Sequence, residues 1–510
     1  MNPFVTAESA PNKIATLMSD TDESMTYGEL ARRASAIAGL LKARGFKKGD
    51  HIALMLSNSL DFHPICWGAW LAGLYFTPIS THLKAQEIAY IISDSGSGCV
   101  FVDPAYLDVM KEARELSPQV TSWVIAGASQ DGFECLLEAE QSADSIVSGP
   151  RIEVGSDMLY SSGTTGRPKG ILPALGKLRD DADPLSGLLA KLYGFSDETI
   201  YLSPAPLYHG SPLKFTMAIH RMGGTNVIMR KFDAEQALVA IEKYNVTHSQ
   251  WVPTMMHRMY RLPEAAKSRY DLSSHRVAVH AAAPCPPELK REIIRWWGPI
   301  VHEFYAGSEA CGFTAINTEE WLSHPGSVGR AVLGVAHITD ESGNELPIGQ
   351  VGHIYFSDGP KIEYHNDPAK TKSSYLPNGW FTMGDMGYLD DEGFLYLSDR
   401  KDFMIISGGV NIYPKEIEDV LTMHPAVRDV AVFGIPHPEF GEEVRGVIEP
   451  VEWDPSSQAK LAEELIEYCR DQLSAIKAPR DIDFVVELPR MDNGKLYKKQ
   501  LRAQYLEKLA

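Results

Sequence analysis

Apolar residues in the first hundred positions switch between helical and strand-like spacing, and that switching predicts a layered α/β fold. Leu30, Ala34, Ile37 and Leu41 share one helical face, opened by a capping box of Thr26 and Glu29 and stopped at Gly45. Residues 51–56 then read as a strand. A helix over 62–73, a turn, a helix over 85–93 and a short apolar strand at 99–102 continue the rhythm. It resumes after residue 195, where strands at 225–229 and 277–279 bracket helices at 234–244 and 254–260, so a second α/β lobe is expected up to about residue 320.

From Gly326 onward short strands are divided by the turn clusters 340–343 and 390–393, which predicts a β-rich subdomain. After Asp399 a small α+β unit is expected: a strand at 403–406, a helix over 414–421 with Pro414 at its start, strands near Val430 and Val447, a helix over 458–472 and a strand at 482–486. The expected fold class is therefore α/β and multidomain. A large N-terminal domain, 1–398, carries two α/β lobes and the β-rich subdomain, and a small C-terminal domain, 404–510, follows a boundary at 399–403. No repeat at a period of ~20–50 residues is visible, which sets solenoids and propellers aside.

The 510 residues are enough for about three such units, at ~150 residues each, without metal or disulfide staples. Forty-eight Lys and Arg against 67 Asp and Glu leave a formal charge of −19, so broad nucleic-acid binding is not expected, and an anionic ligand needs a local set of donors. The six cysteines have no paired spacing, which fits a reducing cytoplasm rather than a disulfide framework or structural zinc. Residues 1–20 lack a basic start and a sustained apolar run. The most apolar stretch, 65–79, falls short of the ~20 residues of a membrane helix, so neither secretion nor a transmembrane segment is expected. The sequon at Asn245 is accordingly read as chance.

Residues 160–170 read Tyr-Ser-Ser-Gly-Thr-Thr-Gly-Arg-Pro-Lys-Gly. Hydroxyls at Ser161, Ser162, Thr164 and Thr165, interleaved with Gly163 and Gly166 and followed by Lys169, can wrap an anion with N–H, O–H and ammonium donors. Arg-Pro-Lys after Gly166 departs from the Walker pattern, which argues against a Walker-type ATPase or GTPase. By composition alone the stretch reads as a polar surface loop.

The whole string is far more specific, and it resembles the phosphate-binding loop of the adenylate-forming superfamily: acyl-CoA synthetases, peptide-synthetase adenylation domains and beetle luciferases. Further matches follow in order. Tyr305-Ala306-Gly307-Ser308-Glu309 is similar to the family's aromatic-to-glutamate motif, and 379–385, ending in Asp385, to its ribose-binding aspartate motif. Asp399-Arg400, then 405–409 and 413–418, resemble its interdomain hinge and the strand-loop-helix beyond, and 489–495 resembles the motif ending in its catalytic lysine.

The resemblance implies an ATP-dependent carboxylic acid:CoA ligase that forms an acyl-adenylate and then a thioester, with ATP, Mg²⁺ and coenzyme A. Two anions meet in the first step, so stabilisation of charge around phosphorus is the main requirement. Lys495 is the implied catalytic donor, although without the resemblance it reads as part of an exposed charged face with Lys498, Lys499 and Arg502. Glu309, with Thr165, is implied to hold Mg²⁺. Ser308 stands where the family usually has Thr. Asp385 would accept from the ribose hydroxyls, Arg400 would face phosphate or ribose, and Tyr305 with Ala306 would line adenine. Asp402 is the implied hinge of a mobile C-terminal domain, with Gly408 and Gly409 replacing Lys495 so that a pantetheine arm can approach.

His209, after Pro206-Leu207-Tyr208, is the implied gate beside the acid. Ala282, in His280-Ala281-Ala282-Ala283-Pro284, falls where the family usually has glycine and is expected near the nucleotide. Gly307 is the family's variable position, and its missing side chain is expected to open room towards the acyl group. Trp251, Val252, Met255, Met256, Phe215 and Cys311 are expected along the pocket, and without a fixed charge among them they point to a bulky hydrophobic acid, ring-containing or long-chain. The competing readings are an enzyme that passes its acyl group to a carrier protein, a luciferase-like oxygenase, and a non-catalytic sensor on the same fold. The assembly is left open, a homodimer among its forms.

Overall fold

The chain's first predicted helix forms as its ends dictate. Glu29 N donates to Thr26 Oγ1 at 3.2 Å and Thr26 N donates back to Glu29 Oε2 at 2.9 Å, closing the capping box on helix Tyr27–Ala43, and Gly45 leaves it at φ 87°. The computed structural model describes residues 2–146, 152–161, 168–400, 403–407, 410–490 and 496–509, leaving aside the side chains of Ser161, Asp399, Arg400, Asn411, Lys508 and Leu509. They form two compact units, one of residues 1–251, 262–278 and 361–373, the other of 252–261, 279–360 and 374–510.

The first unit holds two parallel sheets. One runs Glu134–Cys135, Ser122–Ile125, Ser97–Val102, His51–Met55, Tyr75–Pro78, Ser156–Asp157, all parallel. Strands covered on both faces read as apolar runs, and Tyr75–Pro78 is buried throughout. The other carries His248–Trp251, Ile200–Ser203, Thr225–Ile228 and Ile14–Met18 in parallel, with Ser24–Thr26 antiparallel on its edge. The second lobe is thus not the contiguous segment expected after residue 195, because residues 14–26 return to it, pairing Thr16 with Asn226. Periodicity reports a strand, not its partner.

The most apolar stretch belongs to helix Phe62–Leu71, all ten of whose residues are buried, as expected of a helix apolar on every side that lies in a core. Among the described residues no helix is long and apolar enough to cross a membrane. Beside that helix His220 is fully buried. Its Nδ1 accepts from Trp67 Nε1 at 3.2 Å, and its Nε2 lies 3.1 Å from both Ala15 O and Thr16 Oγ1. The neutral Nε2–H tautomer satisfies this arrangement; a proton on Nδ1 would face an N–H donor.

In the second unit the strands Val301–Tyr305, Phe313–Ile316 and Arg330–Leu333 run antiparallel. The β-rich subdomain is the antiparallel sheet Val335–Thr339, Gly352–Ser357, Asp385–Leu389, Leu395–Arg400. The small α+β unit is a sheet ordered Val410–Ile412, Ile405–Ser407, Gly441–Pro450, Val427–His437, with Asp481–Phe484 parallel to Gly441–Pro450, and helices Pro414–Thr422 and Gln458–Gln472. Both helices agree with expectation within a residue. Two strands shift: the one expected at 403–406 is Ile405–Ser407, and that at 482–486 is Asp481–Phe484.

Burial lowers the pKa of His220 to about 4, and it likewise holds His63, edge-on to it with ring centroids 4.6 Å apart, well below the ordinary histidine value. A depressed folded-state pKa contributes stability above the unfolded value near 6.5, lost as pH falls towards 4. The thermal midpoint is therefore expected to drop between pH 7 and pH 4, with His220 alone contributing on the order of 3 kcal/mol. A pH-independent midpoint over that window, or an unchanged slope in His220→Gln, would contradict this.

Candidate active site

In the second unit the sequence motifs meet at strand ends. Tyr305 closes strand Val301–Tyr305, and the loop that follows, before Phe313–Ile316, carries Ala306, Gly307, exposed Ser308 and half-buried Glu309. Asp385 opens the strand Asp385–Leu389 and pairs in register with Arg400, the last residue of Leu395–Arg400. Tyr305 Oη donates to Asp385 Oδ2 at 2.7 Å and joins the two motifs. A half-buried carboxylate fixed in this way suits the acceptor role that a sugar diol needs.

Gly307 does not open room as expected. A Cβ placed there would lie 2.2 Å from Met383 Sδ and 2.6 Å from Glu309 Oε2, so the thioether and the carboxylate already occupy the space. Ala282 is exposed with φ 74°, a left-handed conformation that favours the glycine it replaces. His280 is core rather than site: it is buried, with Nε2 3.4 Å from Glu303 Oε2, and Lys290 Nζ meets the same oxygen at 2.6 Å. Met255, Met256 and Val252 are buried, as is Cys311, whose thiol burial pushes up.

In the first unit the expected phosphate loop springs from a two-stranded hairpin. Leu159–Ser161 and Lys169–Ile171 pair antiparallel, with Ser161 opposite Lys169. Tyr90 Oη donates to Pro168 O at 3.1 Å and Tyr160 Oη to Asp94 Oδ2 at 2.6 Å, while His365 N donates to Gly170 O at 2.8 Å. Lys169 Nζ donates to Asp367, which also caps helix Pro368–Ser373 by accepting from Lys370 N at 2.8 Å. The Lys169 bond holds the Asp367 carboxyl below its ordinary value. Asp367 carries no motif signal, since a carboxylate before a proline is common at helix starts.

His209 stands half-buried before helix Gly210–Met222, its ring 4.4 Å from Tyr208. The segment leading to it is fixed by buried Asn58, whose Oδ1 accepts from Leu207 N at 2.8 Å and whose Nδ2 donates to Ala205 O at 3.0 Å and Met229 O at 2.8 Å. Asn58 was also missed; the only cue was a polar residue at the end of an apolar strand. Phe215 packs in a buried cluster with Tyr193, Phe195 and Tyr201, and Trp251 Nε1 donates to Ser249 Oγ at 2.6 Å, so both residues are core in this unit. Ser162, Gly163, Thr164, Thr165, Gly166, Asp402, Gly408, Gly409 and Lys495, with the side chains of Ser161 and Arg400, lie outside the described residues.

Parallel α/β lobes, an antiparallel subdomain, a small α+β unit and a tyrosine-aspartate cradle beside a glutamate loop together define an adenylate-forming enzyme. Two family models agree: "AMP-binding enzyme" matches residues 4–362 and "AMP-binding enzyme C-terminal domain" residues 416–495. The chain belongs to this AMP-binding enzyme family and is an enzyme of its acid–thiol ligase class. It is 32% identical over 505 residues to a long-chain-fatty-acid–CoA ligase, FadD13, of Mycobacterium tuberculosis, covering 97% of this chain and 96% of that one. It is 31% identical over 501 residues to an indoleacetate–CoA ligase of Aromatoleum aromaticum, covering 96% and 95%. The crystal structure of ATP-bound MatB from Rhodopseudomonas palustris superposes with a TM-score of 0.82 at 28% identity, covering 100% of both chains.

Replacing Tyr305 with Phe removes the hydroxyl that fixes Asp385. One such bond is worth about 1 kcal/mol, so the KM for ATP is expected to rise about fivefold to tenfold with kcat less affected. An unchanged KM would show that Asp385 is oriented by other means.

Proposed function

We propose that this enzyme joins a bulky hydrophobic carboxylic acid, ring-containing or long-chain, to coenzyme A by way of an acyl-adenylate. The observation that carries the reading is the Tyr305–Asp385 cradle with Glu309 in the adjoining loop and Arg400 in register across the strand pair. An acid oxygen bonds to the α-phosphorus of ATP as the bond to pyrophosphate breaks. The thiol of coenzyme A then attacks the acyl carbon, and AMP departs with the bonding pair.

Asp385 accepts from the ribose and Tyr305 lies against adenine. Ser161 to Gly166 and Lys169 gather the phosphates, Arg400 offsets their charge and Lys495 bridges acid and phosphate during the first step. Glu309 and Thr165 offer the hard oxygens that Mg²⁺ favours, and the ion would neutralise phosphate charge. His209 borders the acid. Rotation at Asp402, within a hinge at 399–403, then withdraws Lys495 and brings Gly408 and Gly409 to the thiol. A cytoplasmic setting matches the unpaired cysteines, each of them buried. The apolar acid is supported by the absence of a fixed charge among Val252, Met255, Met256 and Cys311, and by the long-chain and indole acids in the relatives' names.

Two measurements test this. A panel of acids incubated with ATP, with and without coenzyme A, is expected to release AMP fastest with long-chain or aryl acids and to yield a thioester only with the thiol; preference for acetate or an amino acid would remove the acid assignment. Lys495→Ala is expected to lower adenylate formation about 10²–10³-fold. Adenylate made at the normal rate would overturn the role of that lysine.

A further inference from the structure

The glycine in the glutamate motif has a structural partner in the aspartate motif. Met383 Sδ and Glu309 Oε2 converge on the point where a Gly307 side chain would begin, 2.2 Å and 2.6 Å from it. The Met383 backbone is held firmly on its N-terminal side. Thr382 N donates to Ser374 O at 3.0 Å, Thr382 Oγ1 donates to Ile354 O at 2.7 Å and accepts from Gly384 N at 3.0 Å, and Phe381 exchanges two backbone bonds with Phe356. Two residues further on, Asp385 receives Tyr305 Oη. A half-buried thioether is therefore delivered from the anchored segment between Phe381 and the strand Asp385–Leu389 into the gap beside Glu309.

A thioether has no N–H or O–H to give a carboxylate, so it limits where the Glu309 side chain can turn by volume alone and leaves both oxygens as acceptors. We propose that Met383 is a positioning residue for Glu309, reaching it through the space that Gly307 leaves, and that it sets the orientation in which Glu309 presents oxygen to the metal–nucleotide. This rests on the reading of Glu309 as the magnesium-side carboxylate. It also explains why a glycine at 307 does not enlarge the acid pocket: the freed volume belongs to Met383.

The test is a cycle of Gly307→Ala, Met383→Ala, the double variant, Met383→Leu and Glu309→Gln in the full chain. It is read by the Mg²⁺ concentration for half-maximal adenylate formation, by equilibrium binding of ATP with Mg²⁺ and with EDTA, and by thermal midpoint. Met383→Ala is expected to raise the Mg²⁺ requirement several-fold while ATP binding in EDTA stays at the wild-type level, and Met383→Leu, which keeps the volume, to restore it. Gly307→Ala should lose about 10²-fold in adenylation by displacing the carboxylate. The double variant should not recover that loss, since the added Cβ still lies 2.6 Å from Glu309 Oε2. A Met383→Ala protein with a wild-type Mg²⁺ requirement overturns the proposal. If Glu309→Gln also leaves that requirement unchanged, the underlying assignment of Glu309 fails; if Glu309→Gln shifts it and Met383→Ala does not, only the positioning role falls.

Discussion

The site of the second unit depends on one bond, from the Tyr305 hydroxyl to Asp385 across eighty positions of sequence. Tyr305 ends a strand of the mixed sheet, antiparallel to Phe313–Ile316, and Asp385 begins a strand of the separate antiparallel sheet. Strand ends are where side chains can leave the pleat and face a ligand, while the sheets behind them stay rigid. Joining the two ends fixes the distance between the residue assigned to adenine and the residue assigned to ribose. The Glu309 loop is tied to the same joint, because it is the direct continuation of the tyrosine strand and Met383, two residues before Asp385, reaches the space beside it.

In a chain of charge −19, several of the described cations are engaged by carboxylates. Lys169 is bound to Asp367, Lys290 to Glu303, and Lys415 to Asp419 at 3.1 Å. The Lys290–Glu303 pair is buried and the Lys415–Asp419 pair half-buried. Burial lowers the pKa of Lys290 and raises those of Glu303 and Asp419, so in those groups desolvation outweighs the attraction of the partner. The Lys169–Asp367 pair is half-buried, and there the attraction of the lysine lowers the pKa of the carboxyl.

Much of the fold was legible because it is written in local chemistry. The helices at 234–244 and 458–472 agree with their expected bounds, and the capping box at Thr26 and Glu29 forms as read. What sequence could not show is which distant segments share a sheet, as with residues 14–26 joining the second lobe, since pairing is decided by burial across the whole unit. The site divides the same way. Tyr305, Glu309 and Asp385 are singled out by the resemblance of their motifs to the family's, but Asn58, Asp367 and Met383 meet neighbours brought near only by folding. The room expected at Gly307 was a fair reading of one residue, and the side chain that fills it lies in another motif.

The small α+β unit is met by a polar contact at one helix end. Arg261 points its guanidinium at the C-terminal end of helix Pro414–Thr422, donating to His424 O at 2.9 Å and reaching Thr422 O at 3.4 Å, Pro425 O and Val427 O at 3.5 Å, where the helix dipole favours a cation. Its Nε donates to His257 Nε2 at 3.1 Å, which requires a neutral imidazole, and burial foremost, with Arg261 next, lowers that pKa to about 4. The Lys415–Asp419 pair on the same helix lies within electrostatic reach of Glu303 and Cys285. Contacts of this kind exchange protein hydrogen bonds for water ones with little net change, unlike an apolar face, whose separation costs ~25 cal/mol for each Å² exposed. Polar contacts of this kind therefore fix geometry while adding little net free energy.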